Sequence, residues 1–265
     1  MRIKDDCGSW VDDRETIAQT FITAYEARFK SSYQGARPLP YLGLAKLVTD
    51  DDNRSLIRMP TLDEIKQALF SIDANKTPGP DGFSAGFFQT YWNIVGTDFS
   101  HGILEFFQTG RMLREINHTF ITLIPKTDNP SLTSRHRPIS LCSTIYKTIV
   151  KIVVNRMRPL LDKLVSPYQS AFIPTRSIHD NILLTHEILH KFKNCKGKTA
   201  WAALKIDIKK AYDRLEWDFI TKCLQELGFH PQWIHWILTC VSSVSYSLLN
   251  DGEPKGFFHP TRCIR

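Results

Sequence analysis

An α+β fold is predicted by three features of this sequence. Several segments carry apolar residues at helical spacing behind recognisable N-terminal caps. A few short runs have the composition of strands, and one pair of them flanks a turn. The two kinds are not interleaved in the regular strand–helix–strand order that builds a parallel sheet.

Taken in order, Thr16 to Phe29 has the spacing of an amphipathic helix, and Ser31 to Asp52 reads as a connector ending in the acidic run Asp50-Asp51-Asp52. Thr61 and Glu64 have capping-box spacing, the Thr hydroxyl meeting an orphan amide while the Glu reaches back. Leu62, Ile65, Leu69 and Ile72 then share a helical face. Asn75 to Phe83, NKTPGPDGF, is too rich in Pro and Gly for a helix or strand interior and predicts a rigid turn. Phe87 to Phe107 reads as a helix, and TFITLI, Thr119 to Ile124, as a strand closed by Pro125. HRPISL, His136 to Leu141, opens another ordered segment, and Ser143 to Leu164 has helical spacing with basic residues opposite its apolar side. A loop over Ser166 to Pro174 precedes a helix over Ser177 to Lys191. The apolar run Ala202 to Ile206 predicts a buried strand ending on Asp207. Asp213 and Glu216 have the spacing of a second capping box, for a helix with Leu215, Ile220, Cys223, Leu224 and Leu227 on one face and a stop at Gly228. Pro231 opens a helix to about Val241, and SYSLLNDGEPKGFF predicts a hairpin around Asn250-Asp251-Gly252.

The 265 residues suffice for one large domain or two small ones, and 34 Lys and Arg against 27 Asp and Glu give a net charge of +7. The first 60 residues hold nine basic and nine acidic side chains, so the whole excess lies beyond Pro60. It is densest from Lys191 to Arg214, with eight basic residues against two acids. Such a field suits a polyanion, nucleic acid above all, although a solvated surface has the same composition. The six cysteines form no CxxC pair, which argues against a zinc ribbon or a secreted disulfide framework and fits a reducing, intracellular setting. The opening MRIKDD lacks the apolar core of a signal peptide, and no window approaches a membrane span.

Asp207 poses the chemical question. A carboxylate closing a buried strand loses hydration unless a cation or hydrogen-bond donors meet it. One solution is Mg²⁺, which takes one or two protein carboxylates together with phosphate oxygens and water. The plainer alternative pairs Asp207 with Lys209 or Lys210. Asp213 reads instead as a helix N-cap, so the two acids are not a catalytic pair.

Six blocks in order, TPGPDGF, ITLIPK, HRPISL, SPYQSAFIPTRSIHDNIL, LKIDIKKAYD and GFFHPTRCIR, closely resemble LINE-type (non-LTR) retrotransposon reverse transcriptases, particularly those of plants. The resemblance runs from Thr61 to Arg265. It implies a right-handed polymerase fold, with a helical extension and connector over 1–60, fingers and the fingers/palm region over 61–199, and an incomplete palm over 200–265. It implies RNA-templated DNA synthesis, in which a primer 3′-OH attacks a dNTP α-phosphate with two Mg²⁺ ions. By position, Asp207 would be the metal-binding catalytic carboxylate and the Ile208 carbonyl a second ligand. Tyr212 would be the aromatic gate under the incoming sugar. Lys126 and Arg137 would hold the triphosphate, a movable point charge and a planar fork, the alternative being solvated surface cations. Gln169, Phe172 and Arg176 match a motif along the template path. The partners implied are an RNA template, a DNA primer and dNTP, with a nuclear location and no membrane.

The pattern departs from the family in places. The sequence reaches Arg265 within the block that the family continues into a Gln-Gly-Asp-Pro segment and an Asp-Asp hairpin. The expectation is therefore a chain inactive by itself, or a non-catalytic nucleic-acid-binding remnant. Cys263 stands where the family has Gly, at a turn that calls for φ > 0. A rival motif, His186-Glu187-Ile188-Leu189-His190, is an HExxH with His179 one helical face away, a zinc-peptidase pattern. No third-ligand motif follows it, and Ile182, Ile188 and Leu189 point to a helix that simply packs.

Overall fold

The computed structural model describes residues 2–5, 7–31, 33, 39–195 and 201–264. The boundary expected at 199/200 lies outside them, as does part of the connector after Ser31. Mixed α and β structure is observed, as the sequence predicts.

A short hairpin, β1 (Ile3–Lys4) with β2 (Trp10–Val11), precedes α1 (Arg14–Phe29), whose Asp13 cap accepts from the Thr16 amide. The main sheet joins β3 (His118–Pro125), β4 (His136–Cys142), β5 (Ser245–Asn250) and β6 (Glu253–Phe258) in the order β4-β3-β5-β6. β3 pairs antiparallel with β4, Ile121 opposite Ser140, and parallel with β5, His118 opposite Ser245. The hairpin turns at Asp251 and Gly252, with φ of +50° and +84°, the left-handed pair a two-residue hairpin turn needs. α1 covers one face of this sheet, packing Phe21, Ile22, Tyr25 and Phe29 on Ile121, Tyr246, Leu248 and Phe258.

A second core is helical. It is built by α2 (Asp50–Ile57), α3 (Leu62–Phe70), α4 (Ala85–Thr90), α5 (Trp92–Thr109), α7 (Thr144–Met157), α10 (Trp217–Leu227) and α11 (Pro231–Ser242). At its centre lie Ile65, Leu69, Ile103, Phe107, Ile152 and Trp233. One-turn helices α6 (Arg114–Asn117) and α8 (Leu161–Leu164) join these elements, and α9 (Ile178–Asn194) stands apart. Gly228 ends α10 at φ +90° and Pro231 is the first residue of α11. The Pro- and Gly-rich turn docks by Gly79, where a Cβ would fall 2.3 Å from the Ser143 backbone nitrogen. Thr144 Oγ1 donates to the Phe83 carbonyl and Lys147 Nζ to that of Thr77, fixing both ends of the turn.

Several expectations are corrected. Asp50-Asp51-Asp52 is not connector: Thr49 and Asp52 form a reciprocal capping box, and the acids fill the first turn of α2, where the helix dipole favours them. At α3 only half the expected box forms, because Arg156 draws the Glu64 carboxylate away; Leu62, at the helix start, stays exposed. The helix expected over Phe87 to Phe107 breaks at Tyr91, since Gln89 ties α4 across the end of α3 through the Leu69 and Ile72 carbonyls. The expected strand Ala202 to Ile206 is not one. Both flanks of β3 are taken by β4 and β5, and neither sheet edge pairs with this segment, leaving Leu204 and Ile206 exposed. α9 forms where expected but buries no residue, because nothing among the described residues covers Ile182, Ile188 and Leu189. The Asp213–Glu216 box also fails. The Asp213 amide donates to Lys210 in a 3₁₀ turn over Tyr212–Arg214, Glu216 faces Arg262 at 3.4 Å, and α10 starts at Trp217 without a side-chain cap.

Candidate nucleotide cleft

The segment after Ile208 is shaped by a tight turn. Lys210 adopts φ +53°, then the Tyr212–Arg214 turn brings the chain alongside residues 263–264. Leu215 O accepts from the Cys263 amide at 2.9 Å, Tyr212 O accepts from Ile264 at 3.1 Å, and Trp217 Nε1 donates to Cys263 O at 2.7 Å. Cys263 itself sits at φ +92°, the left-handed conformation expected where the family has Gly. The other side is closed by α1: the Phe29 carbonyl accepts from the Thr261 and Arg262 amides, and the Arg28 carbonyl from the Arg262 guanidinium.

Between these strands of chain opens a cleft of about 220 Å³, bordered by Tyr212, Asp213, Cys263, Phe29, Ser140 and Tyr246. Ser140 and Pro138 face it from β4, so Arg137, the neighbour of Pro138, projects with Ile139 from the opposite side of the sheet. The Arg137 side chain is exposed and makes no hydrogen bond or ion pair with another described residue. Lys126 follows β3 directly; its Nζ donates to the Ser134 carbonyl at 3.1 Å and its amide to Arg135. His136 is buried against Phe21, and burial holds its imidazole below the ordinary histidine range. Lys210 feels burial first, then the charges of Arg28, Lys126 and Lys209, with Asp213 opposing; together they push its ammonium pKa down. Tyr212, Asp213 and Lys210 thus share one turn beside the cleft, and Arg137 lies on the far face.

Asp207 and Ile208 are exposed and precede the cleft. The Asp207 carboxylate is engaged by no other described residue, so the pairing with Lys209 or Lys210 does not occur. Among the described residues no three His, Cys, Asp or Glu side chains converge as metal ligands, which covers His179, His186, Glu187 and His190 as well. The His190 ring instead meets the Asn194 amide.

The loop holding Gln169, Phe172 and Arg176 has its own logic. The Arg176 guanidinium donates to the carbonyls of Ser166, Gln169, Asp162 and Val165, and its Nε stands 3.5 Å from the Asp162 carboxylate. All five of its donors are therefore turned inward. Gln169 bonds to the Ala171 carbonyl, while Phe172 stands at φ +67° and 86% exposed.

Sequence reasoning missed Arg28. It comes from a helix far from any motif, and only folding brings it to Asp213, 4.0 Å away. Lys210 belongs to the basic stretch Lys191 to Arg214, but only folding brings its turn to Asp213 and Arg28.

Residues 124–263 match the reverse transcriptase (RNA-dependent DNA polymerase) family. The Transposon TX1 uncharacterized 149 kDa protein of Xenopus laevis is 34% identical over 248 residues, 91% of this chain and 19% of that protein. The retrovirus-related Pol polyprotein from type-2 retrotransposable element R2DM of Drosophila melanogaster is 24% identical over 73% of this chain and 18% of its own length. That from type-1 retrotransposable element R1 of Bradysia coprophila is 26% identical over 59% of this chain and 15% of its own length. The chain thus spans under a fifth of each of these relatives. With Lys126, Arg137, Asp207 and Tyr212 all inside the matched segment, the chain belongs to the reverse transcriptase family, in its LINE-type, non-LTR retrotransposon branch.

Proposed function

We propose that this chain forms the fingers and the opening part of the palm of an RNA-directed DNA polymerase, working in the nucleus on an RNA template, a DNA primer and dNTP. The observation that carries the reading is the family match over 124–263, a segment that contains Lys126, Arg137, Asp207 and Tyr212 in motif order. In it, Tyr212 lies beneath the incoming sugar and fills the room a ribose 2′-OH would need. Lys126 takes phosphate oxygens at the rim of the cleft, and Arg137 approaches from the edge strand β4. Phe172 and Gln169 lie along the template. Arg176 is better read as the brace of that loop than as a template contact, because its donors are already engaged.

Divalent metals serve this family generally, and Asp207 fits a hard cation: its carboxylate is open, and Mg²⁺ accepts a single protein carboxylate with phosphate oxygens and water completing its shell. Asp207 and the Ile208 carbonyl would hold it, and when bound it neutralises phosphate charge at the reacting centre.

Primer extension on an RNA template, assayed in the longest polypeptide in which this sequence is expressed, tests the reading. Asp207→Ala should abolish extension, and Tyr212→Ala should admit ribonucleotides more readily. Extension that survives Asp207→Ala overturns the assignment.

A further inference from the structure

Arg28, in the last turn of α1, is nearly enclosed, with 12% of its side chain exposed. Its guanidinium lies 4.5 Å over the Tyr25 ring and 4.0 Å from the Asp213 carboxylate. The Asp213 contact is longer than a hydrogen bond, so Arg28 is held there by charge and by the Tyr25 ring, not by a close carboxylate. The Tyr25 hydroxyl beside it is buried and has no partner among the described residues. Lys210, half-buried at a positive φ, stands beside Asp213 in the chain turn, and its lowered pKa reflects burial and then the charges of Arg28, Lys126 and Lys209. Arg28 and the Lys210 backbone thus both meet Asp213, which with Tyr212 borders the cleft. Like charges are stable together in a desolvated place when an anion joins them.

We propose that Arg28 and Lys210, with Lys126, bind the phosphates of a nucleotide seated in the Tyr212 cleft, so that the N-terminal helix is part of the substrate site. The proposal rests on the reading of the chain as a nucleotide polymerase and adds a residue from outside the matched segment 124–263. A mononucleotide's polyphosphate tail suits the recess better than a strand does, because Arg28 and Asp213 are both sunk below the surface. At 4.0 Å the pair is loose enough for the guanidinium to turn from Asp213 to a phosphate oxygen. Arg supplies a planar fork for two such oxygens, and Lys a charge that can follow the tail.

Calorimetric titration of the whole 265-residue chain with inorganic tripolyphosphate, against sulfate at equal ionic strength, is the test. Tripolyphosphate should bind more tightly than sulfate, and Arg28→Gln and Lys210→Gln should each weaken it about tenfold or more. Arg28→Lys should recover part of the loss. Lys191→Gln, the same charge change on the exposed α9, should leave the affinity as it was. Equal affinity in the Arg28→Gln and Lys191→Gln variants overturns the proposal. So does binding no tighter than sulfate, or binding by single-stranded DNA with none by tripolyphosphate. If Arg28→Gln fails to fold, Lys210→Gln decides. The titration needs no catalysis: loss of tripolyphosphate in Arg28→Gln beside extension that survives Asp207→Ala would sink the polymerase reading and keep the site, and the reverse would do the opposite.

Discussion

Arg156 grips Glu64 through two parallel hydrogen bonds of 2.8 and 2.9 Å, joining α7 to α3 across the helical core. The same guanidinium donates to the Leu56 and Arg58 carbonyls, so one side chain closes the end of α2 as well. Breaking an enclosed pair from one side leaves the other charge stranded, at a cost of about 3–5 kcal/mol. Arg156→Ala should therefore lower unfolding stability by about 3 kcal/mol or more in urea denaturation. A loss below about 1 kcal/mol, as for a surface pair, would refute this account.

Acid should weaken the helical half first. Burial opposes the Glu64 charge, but the Arg156 bonds and the Arg156 and Arg58 charges outweigh it and hold the carboxyl below its ordinary range. Lys163 and Thr49 hold Asp52 down to about 2. Both groups are ionised more readily folded than unfolded, so their stabilisation is complete above the ordinary carboxylate values and disappears as pH falls through the folded ones. The urea midpoint should drop steadily from about pH 5 toward pH 2, and Asp52→Asn should flatten the lower part of that curve.

Gly79→Ala should be among the most damaging small substitutions. The added methyl would meet the Ser143 nitrogen at 2.3 Å and the Cys142 carbonyl carbon at 2.4 Å, both backbone atoms that cannot turn aside. A loss of about 3 kcal/mol is expected, at the upper end of overpacking costs. Gly102→Ala, with open space around it, is the control.

Affinity for an RNA–DNA hybrid should fall with salt, since it rests on Lys and Arg contacts to phosphate. Lys126→Ala should reduce the slope of log affinity against log salt by about 1. Arg176→Ala should lower thermal stability and leave that slope unchanged, because its donors hold carbonyls of the loop. A slope change in Arg176→Ala would return it to the phosphate contacts.

The segment 202–208 should drive self-association. Leu204, Ile206 and Ile208 are exposed on backbone outside any strand, and α9 adds exposed Ile182, Ile188 and Leu189. Unpaired extended segments of this composition join other chains edge to edge. Light scattering after size exclusion should show oligomers that Ile206→Lys reduces; a clean monomer in the parent chain contradicts this.

Local rules were legible where one residue decides the outcome. Gly228, Pro231 and Asp251-Gly252 punctuate the chain where expected, because left-handed φ and a missing amide proton act without reference to the rest of the fold. They failed where a distant partner competed for the same group. Glu64 went to Arg156 and Glu216 to Arg262, and each abandoned its helix cap for a guanidinium. The apolar run before Asp207 has strand composition, yet a strand exists only with a ladder partner, which no local window contains. Motif order singled out Tyr212, which borders the cleft, but not that β4 turns Arg137 to the other face, since alternation matters only once register is known. Arg28 was invisible for the same reason.

The closure of α1 on the last segments of the chain also has a consequence in time. Ser31 bonds Thr261 across 230 residues, and Arg262 reaches the Arg28 carbonyl across 234. At a ribosomal pace of about 5–20 residues per second, the helix emerges roughly 10–50 s before β5, β6 and residue 261 exist to receive it. Through that interval Phe21, Tyr25 and Phe29 have no sheet to cover, so the nascent chain carries an adhesive face that a holding chaperone would recognise. The Tyr212 cleft consequently cannot form until residues 245–264 have been made, whatever the order in which the helices form.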